Sequence, residues 1–262
     1  MSNPTVIVTG ASRGLGSAAA RLAAQLGANV VLMARTMESL QAVSDEIEQG
    51  GGQALVVEGD VSQPEDCRKV IQRSLERFGG IDGLVNNAGI LEPIGPISEA
   101  EAEAWHKSWA VNVLGPVMMC QAALPHLRES KGRVINVSSG AAINAIEGWG
   151  AYCLSKAAIN HLTRMLAAEE PDVTSISFRP GVVDTEMQKT IRERGSEGMP
   201  QAEYERFVRY HEQGELLPPE VPGCALAVLA LHARPEWSGE FMPWNQPEVQ
   251  ALVRRYACST SA

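Results

Sequence analysis

The sequence has few aromatic residues, few charged residues and no long apolar run. Aromatic residues make up 5% and charged residues 20% of its 262 positions. No stretch reaches the roughly 20 apolar residues that a membrane-spanning helix requires. The start, MSNPTVIVTGASRG, has no basic segment ahead of a long apolar one, so it does not match a signal peptide. We therefore expect a protein that spans no membrane and is located in the cytoplasm.

Cysteines are also few, and their spacing matches no known framework. Cys67, Cys120, Cys153, Cys224 and Cys258 are scattered, odd in number and without C-x-x-C or Cys/His ligand spacing. This usage is typical of a reducing compartment and excludes a disulfide framework or a zinc site. We expect buried or incidental thiols and no bound metal.

Basic residues are outnumbered by acidic ones. Lys and Arg total 22 against 31 Asp and Glu, a formal net charge of −9. Nucleic acid is therefore not expected as a partner, because binding a phosphate backbone requires a basic face. A local basic spot for one small anion remains possible. Hydrophobic residues make up 45% of the chain, which is enough to bury a substantial core.

Short runs rich in β-branched residues alternate with longer segments whose apolar residues recur every three or four positions. Such alternation is typical of a parallel sheet with crossover helices, and continuously apolar strands indicate a sheet covered on both faces. We predict an α/β fold: one Rossmann-like domain over residues 1–262, with a doubly wound parallel sheet of about seven strands and helices on both faces. Predicted strands lie at 5–8, 29–33, 53–58, 83–87, 132–139 and 173–178, and predicted helices at 16–27, 39–49 and 65–79.

One segment, at about residues 183–219, interrupts this rhythm with glycines, prolines and many charges. We expect a mobile lid over a substrate site. A solvated surface insertion is the alternative, and the pattern does not choose between them.

A glycine-rich turn, TGASRGLG, follows the first predicted strand and precedes a helix. Gly10, Gly14 and Gly16 permit a tight turn whose backbone N–H groups approach an anion at the helix N-terminus. The spacing G-x-x-x-G-x-G differs from the usual dinucleotide fingerprint G-x-G-x-x-G. Its position between strand and helix nevertheless favours a dinucleotide phosphate.

The second predicted strand ends in LMART, without the acidic residue that binds the ribose of NAD. Arg35 stands there instead, and Arg13 lies in the glycine turn. Guanidinium groups match the oxygens of a 2′-phosphate, so NADP(H) is the expected cofactor and NAD(H) the less favoured one. The alternative is that both arginines are merely solvated.

Ordered motifs along nearly the whole chain resemble the short-chain dehydrogenase/reductase family. A serine, Ser139, stands thirteen positions before Tyr152, which is the family's spacing for its catalytic serine, and Asn112 in AVNVLG matches the family's helix asparagine. The further matches are T-G-x-x-x-G-x-G at 9–16, N-N-A-G at 86–89, Y-x-x-x-K at 152–156 and the P-G loop RPGVVDT at 179–185.

The resemblance implies four catalytic residues. Tyr152 would donate a proton to the substrate oxygen, and Ser139 would donate a hydrogen bond to the same oxygen. Lys156 would bring the pKa of Tyr152, which is ordinarily about 10, closer to the working pH. It would also form a hydrogen bond to the nicotinamide ribose. Asn112 would hold a water linking Lys156 to solvent.

The resemblance also implies a cofactor site. Asp60 would bond the adenine amine, although it could simply begin a helix, while Val183 and Thr185 would hold the nicotinamide. The predicted cofactor-binding residues are Gly10, Ser12, Arg13, Gly14, Leu15, Gly16, Arg35, Asp60, Val61, Asn87, Ala88, Gly89, Tyr152, Lys156, Pro180, Gly181, Val183 and Thr185.

Within the family, GWGAYCLSKAA, AAEEPDV, RPGVVDTEMQ and SGEF are most similar to the sepiapterin reductase branch, which includes reducers of benzil and other vicinal diketones. Pteridine-reducing members carry an acidic residue where Pro243 stands here, so pteridine itself is disfavoured. We predict a hydrophobic or vicinal-dicarbonyl substrate bound by Ser139, Trp149, Tyr152 and Met187. An apolar pocket would also contain Ile143, Ile146, Val182 and Phe207, although each of these could belong to the core.

Other functions remain open from the sequence. A 3-oxoacyl-thioester reductase, or an alcohol, sugar or steroid dehydrogenase, would use the same catalytic residues. A catalytically silent NADP(H)-sensing protein is a more remote alternative. The apolar stripes at 105–127 and 157–170 correspond to helices that pair across a two-fold axis in the family, so a homodimer or homotetramer is expected.

Overall fold

A computed structural model describes residues 3–256 and shows a parallel sheet of seven strands in the order β3-β2-β1-β4-β5-β6-β7. Six of these strands overlap the predicted ones, and the predicted doubly wound α/β fold is confirmed. The strands are β1 (Thr5–Thr9), β2 (Asn29–Ala34), β3 (Gln53–Glu58), β4 (Gly83–Asn86), β5 (Arg133–Val137), β6 (Thr174–Arg179) and β7 (Phe241–Pro243).

Ten α-helices connect and flank these strands within the described residues. A turn of π-helix, Ala110–Leu114, joins α4 to α5 without a break. The helices are α1 (Gly14–Gln25), α2 (Met37–Gln49), α3 (Pro64–Phe78), α4 (Ala102–Trp109), α5 (Gly115–Ser130), α6 (Gly150–Glu169), α7 (Glu186–Arg194), α8 (Gln201–Glu212), α9 (Glu220–His232) and α10 (Pro247–Tyr256).

The sheet is buried on both faces because side chains alternate along each strand. In β1, Val6 and Val8 belong to one apolar cluster and Ile7 to another. The first cluster packs the sheet against α1, α2, α9 and α10, and the second packs it against α3, α5 and α6. This explains why the strands are continuously apolar in sequence.

The strand order reverses between β1 and β4, since β1 pairs with β2 on one side and with β4 on the other. Connections leave the carboxyl ends of β1 and β4 toward opposite halves of the sheet and open a crevice there, the usual ligand site of such folds. The glycine turn follows β1 and the N-N-A-G segment follows β4, so both motifs meet at this crevice.

The continuous helical run Ala102–Ser130 is long and apolar enough, by length and composition alone, to cross a membrane. Its most apolar window is 44% buried within the fold, and core helices of soluble proteins pass the same test. The run packs against α3, α6 and the sheet.

The segment between β6 and α9 contains α7, a short turn at Gly195–Glu197 and α8. Ile191, Met199 and Phe207 of this segment are buried and form a third apolar cluster with Trp149 and Tyr152 of the α6 region. The segment is therefore packed over the start of α6, rather than being a wholly solvated insertion.

The cysteines are dispersed in the structure as in the sequence. Cys67 and Cys120 are buried, while Cys153 and Cys224 are half-buried. Cys258 lies outside the described residues. No group of three or more His, Cys, Asp or Glu side chains within residues 3–256 is arranged to hold a metal ion.

Candidate active site

The glycine turn after β1 is held in a conformation that only glycine adopts readily. Gly10 and Gly14 have φ values of +65° and +56°. A Cβ added at Gly10 would lie 2.9 Å from the Cα of Ala88, and one added at Gly16 would overlap the carbonyl oxygen of Gly10. The turn is thus packed directly on the N-N-A-G segment, with no room for side chains, and suits a dinucleotide phosphate.

Two side chains join the turn to this segment. Thr9 Oγ1 accepts hydrogen bonds from the backbone N–H groups of Asn87 and Ala88 at 3.0 and 3.1 Å. The Asn87 amide in turn donates to the carbonyl oxygens of Thr9 and Gly10 at 2.9 and 3.1 Å. Thr9, absent from the predicted site residues, therefore helps to set the shape of the cofactor crevice.

The crevice is also lined by Arg13, Arg35 and Asp60. Neither arginine forms an ion pair with any residue in the described range. Oδ1 of Asp60 accepts hydrogen bonds from the backbone N and the Oγ of Ser62, at 2.9 and 2.8 Å. Asp60 thus stabilises the turn before α3 as well as lining the crevice, so its structural alternative has a basis in the contacts.

Helix α6 places Tyr152 and Lys156 one turn apart, and both side chains are buried, with 7% and 5% exposure. Lys156 Nζ lies 5.5 Å from the centroid of the Tyr152 ring and donates a hydrogen bond to the carbonyl oxygen of Val137 at 2.7 Å. Ser139, just beyond β5, accepts a hydrogen bond from the backbone N–H of Ala141 at 3.1 Å. The predicted catalytic trio therefore converges at the carboxyl end of β5.

Burial dominates the acid–base properties of this group. It raises the pKa of Tyr152 to about 12, against the opposing effect of a hydrogen bond with Ser139. It lowers the pKa of Lys156 to about 8. Desolvation of the phenolate is the main cause of the raised pKa of Tyr152, and the lowering of this pKa by Lys156 stays a prediction.

The side chain of Asn112 is bound by protein groups, and the predicted water at this residue stays a prediction. Its Oδ1 accepts a hydrogen bond from Ile90 N and its Nδ2 donates to Ile90 O, both at 2.8 Å. Nδ2 also lies 3.2 Å from Ser155 Oγ. The side chain is buried in the π-helical turn and anchors the segment after β4 against α6.

One cavity of about 1120 Å³ contains both the crevice and the catalytic trio. Every residue predicted to bind the cofactor or the substrate lines this cavity, as do Ile146, Val182 and Phe207. Asn112 is not among the lining residues. Ile143 was expected in the pocket, but it is 62% exposed and does not line the cavity, because the loop after β5 turns its side chain to solvent.

A row of aromatic rings leads from the catalytic tyrosine to the segment between β6 and α9. Trp149 meets Tyr152 edge to face, with ring centroids 5.9 Å apart, and stacks on Phe207 at 4.8 Å. Phe207 meets Tyr210 at 5.9 Å. Trp149 Nε1 lies 3.2 Å from the sulfur of Met199, which fixes the indole. These rings form an apolar wall beside the reacting hydroxyl.

The charged lining of the cavity was only partly anticipated from the sequence. In a chain of net charge −9 the cavity is lined by seven cationic side chains and three carboxylates. The abundance of charge in the segment after β6 was apparent, but its pattern did not reveal which charges face inward. The cations are Arg13, Arg35, Lys156, Arg179, Lys189, Arg192 and Arg206, and the carboxylates are Asp60, Asp184 and Glu186.

Comparison with known proteins gives consistent matches. The family model for short chain dehydrogenases matches residues 4–196. A Schizosaccharomyces pombe protein described as an uncharacterized oxidoreductase is 38% identical over 92% of this chain and 96% of its own length. A Saccharomyces cerevisiae benzil reductase that forms (S)-benzoin is 34% identical over 92% of this chain and 95% of its own. The crystal structure of a Saccharomyces cerevisiae short chain dehydrogenase/reductase superposes with a TM-score of 0.91 at 34% identity, over 95% of this chain and 99% of the other.

Proposed function

Because the chain belongs to the short-chain dehydrogenase/reductase family, it is an oxidoreductase that uses a nicotinamide cofactor, and we propose that it reduces a hydrophobic ketone with NADPH. The observation that carries this proposal is a single cavity that joins the glycine turn, Arg13 and Arg35 to the buried Tyr152 and Lys156 and to Ser139. A benzil reductase among the relatives supports reduction of a carbonyl group.

The choice of NADPH rests on the chemistry of the crevice end. Arg35 follows β2, where an NAD-binding protein would carry a carboxylate, and Arg13 lies in the glycine turn directly before α1. Both line the cavity without an ion-pair partner in the described chain, so both guanidinium groups are available to a 2′-phosphate.

Residues of the chain itself supply the proton and stabilise the charge that develops on the substrate oxygen. The bound cofactor would supply the hydride. Tyr152 holds the proton on its hydroxyl, since burial keeps its pKa high, and donates it to the substrate oxygen. Ser139 Oγ donates a hydrogen bond to that oxygen as negative charge develops. Lys156, with a pKa of about 8, is predominantly an ammonium at neutral pH and places positive charge beside the phenolate that forms.

The part of the cavity next to Tyr152 favours an aryl ketone or an aryl vicinal diketone as substrate. Trp149 and Phe207 offer stacked faces next to Tyr152, and Ile146, Val182 and Met187 add apolar lining. Pro243 ends β7, where pteridine-reducing relatives would need an acid, which disfavours a pteridine.

The test is NADPH oxidation with a panel of benzil, sepiapterin, an acetoacetyl thioester and hydroxysteroid ketones. The proposal expects benzil to have the highest kcat/KM. A dominant acetoacetyl thioester or steroid would replace the proposed substrate class with one of the alternatives. Absence of turnover with every carbonyl, together with tight NADPH binding, would favour the cofactor-sensing alternative.

We further propose that the protein forms a homodimer or homotetramer through helices α4, α5 and α6. We also propose that it is located in the cytoplasm. Trp109 and Leu114 on the α4–α5 run, and Leu154 and Met165 on α6, are 40%, 47%, 51% and 43% exposed. Helices α4 and α6 pack against each other, and large apolar side chains exposed on neighbouring helices are typical of protein interfaces. Light scattering after size exclusion measures the mass directly, and a monomer would contradict the proposal. Fractionation of cells tests the location.

A further inference from the structure

We propose that the substrate carries an anionic group, a carboxylate, at the end distant from the reacting carbonyl, and that Arg192 on α7, with Gln188 and Arg206, binds it. This inference rests on the proposed ketone reduction and specifies its substrate class. It follows from polar atoms on α7 and α8 that are buried at the cavity without a partner.

Gln188 and Arg192 stand one helical turn apart on α7, and both line the cavity. Gln188 is only 8% exposed, yet its Oε1 has no hydrogen-bond partner in the described chain, and the same holds for Nη1 of Arg192. Buried polar groups without partners destabilise a fold, so unpartnered atoms on residues that line a cavity point to a bound molecule that these side chains turn to meet. Rotation of the Gln188 amide exchanges Oε1 and Nε2, so this residue can also donate.

Helix α8 contributes a second guanidinium. Nη2 of Arg206 is paired with Glu203 at 2.7 Å, while its Nε is buried without a hydrogen-bond partner among residues 3–256. The hydroxyl of Tyr204 donates to the backbone oxygen of Arg192 at 2.9 Å and holds α8 against α7 at this point. Glu203 thus pairs with Arg206, whereas Arg192 forms no ion pair within residues 3–256 and is the guanidinium left to bind an anion.

The nearby apolar contacts define the shape of the ligand. Ile191, directly before Arg192, packs in the same cluster as Tyr152, Trp149 and Phe207. A molecule with its carbonyl at Tyr152 and an aromatic body on the Trp149–Phe207 wall would direct its far end toward the helices that carry Arg192. The anion that fits is therefore the carboxylate of an aryl ketone or aryl diketone.

The experiment compares benzil with benzil bearing one para-carboxylate, in the full-length protein with NADPH. We expect wild type to have at least a roughly 10-fold higher kcat/KM for the carboxylated diketone, because charge-assisted hydrogen bonds in a partly buried site contribute that much or more. Arg192→Met should lower the ratio of the two kcat/KM values by about 10- to 100-fold, mainly through KM, and Arg192→Lys should lower it less. Arg209→Met, at an exposed arginine on the neighbouring helix α8 that does not line the cavity, should leave the ratio unchanged.

A second measurement separates this inference from the proposed function. Trp149 lies on the binding wall, so binding of each diketone to the protein is followed by tryptophan fluorescence, without turnover. Tighter binding of the carboxylated compound that depends on Arg192 supports the subsite, even if neither compound is reduced. Reduction of benzil with no preference for the carboxylate, or a ratio that does not move in Arg192→Met, overturns the subsite and leaves the proposed function intact.

Discussion

Replacing Lys156 with methionine should abolish efficient catalysis and yet stabilise the protein at neutral pH. Burial lowers the pKa of Lys156 from 10.5 to about 8. Each pH unit between these values corresponds to about 1.4 kcal/mol, so the buried ammonium destabilises the fold by about 3 kcal/mol wherever it is protonated in both states. Methionine has a stem of similar length and no charge to desolvate.

Part of this gain is lost with the hydrogen bond that Lys156 Nζ donates to Val137 at 2.7 Å. That carbonyl would lose its partner, at a cost of about 1 kcal/mol. The net expectation is that Lys156→Met is about 2 kcal/mol more stable than wild type at pH 7, or about 4–8 °C higher in Tm for a domain of this size.

The difference in unfolding free energy between Lys156→Met and wild type must also decrease as the pH rises. Below about pH 8 the lysine is protonated in both the folded and the unfolded chain, and the full destabilisation is present. Between pH 8 and the unfolded value of 10.5 the folded chain has released a proton that the unfolded chain still binds, so wild type gains stability as the pH rises. The advantage of the variant should therefore shrink across this window.

Urea unfolding followed by circular dichroism at pH 7, 8.5 and 10 measures this difference. Taking wild type minus variant at each pH removes contributions common to both, such as those of the thiols of Cys67 and Cys120, whose pKa values burial raises to about 11 and about 12. A variant less stable than wild type at pH 7, or a difference that does not change with pH, would refute the reasoning.

Three further outcomes are expected. Tyr152→Phe should lower turnover by roughly 10²-fold or more while NADPH binding is retained, because the ring contact with Trp149 stays and only the proton donor is lost. Near wild-type turnover in a stopped-flow assay would exclude Tyr152 as the acid. Arg35→Asp should shift the ratio of kcat/KM values from NADPH toward NADH, whereas Arg209→Asp should not, and an unmoved ratio would remove the phosphate role of Arg35. Gly16→Ala should lower the free energy of unfolding by about 1–3 kcal/mol and weaken NADPH binding, because the added Cβ would overlap the Gly10 carbonyl oxygen. Binding titrations and melting curves that match wild type would show that the turn can move to make room for this Cβ.

Strands and crossover helices were predictable wherever the local pattern had one physical cause. Strands β1 to β5 place apolar side chains in the clusters on both faces of the sheet, because helices cover both sides, and this produces the apolar runs in the sequence. The three-residue strand β7, Phe241–Pro243, is too short and too rich in proline at its end to be recognised by pattern. Helices α7 and α8 were likewise not predicted, because their segment is dominated by charge and glycine.

The candidate site divides in the same way. The sequence predicted the glycine turn and the group formed by Ser139, Tyr152 and Lys156, because backbone geometry at a strand end requires particular residues at particular intervals. Ile143 was misplaced, since nothing local determines which way a loop side chain points. Arg192 and Gln188 were missed, because the face of α7 that meets the cavity depends on how the helix packs.

The sequence by itself determined the order of elements, the turn that approaches a phosphate and the residue types available for proton transfer. Only the tertiary structure decided how those residues behave. Desolvation depends on everything packed around a group, so the high pKa of Tyr152 and the low pKa of Lys156 follow from burial by distant segments. For the same reason, a chain of net charge −9 encloses a cavity whose charged lining has seven cations and three carboxylates, because folding, and not composition, selects which charges face inward.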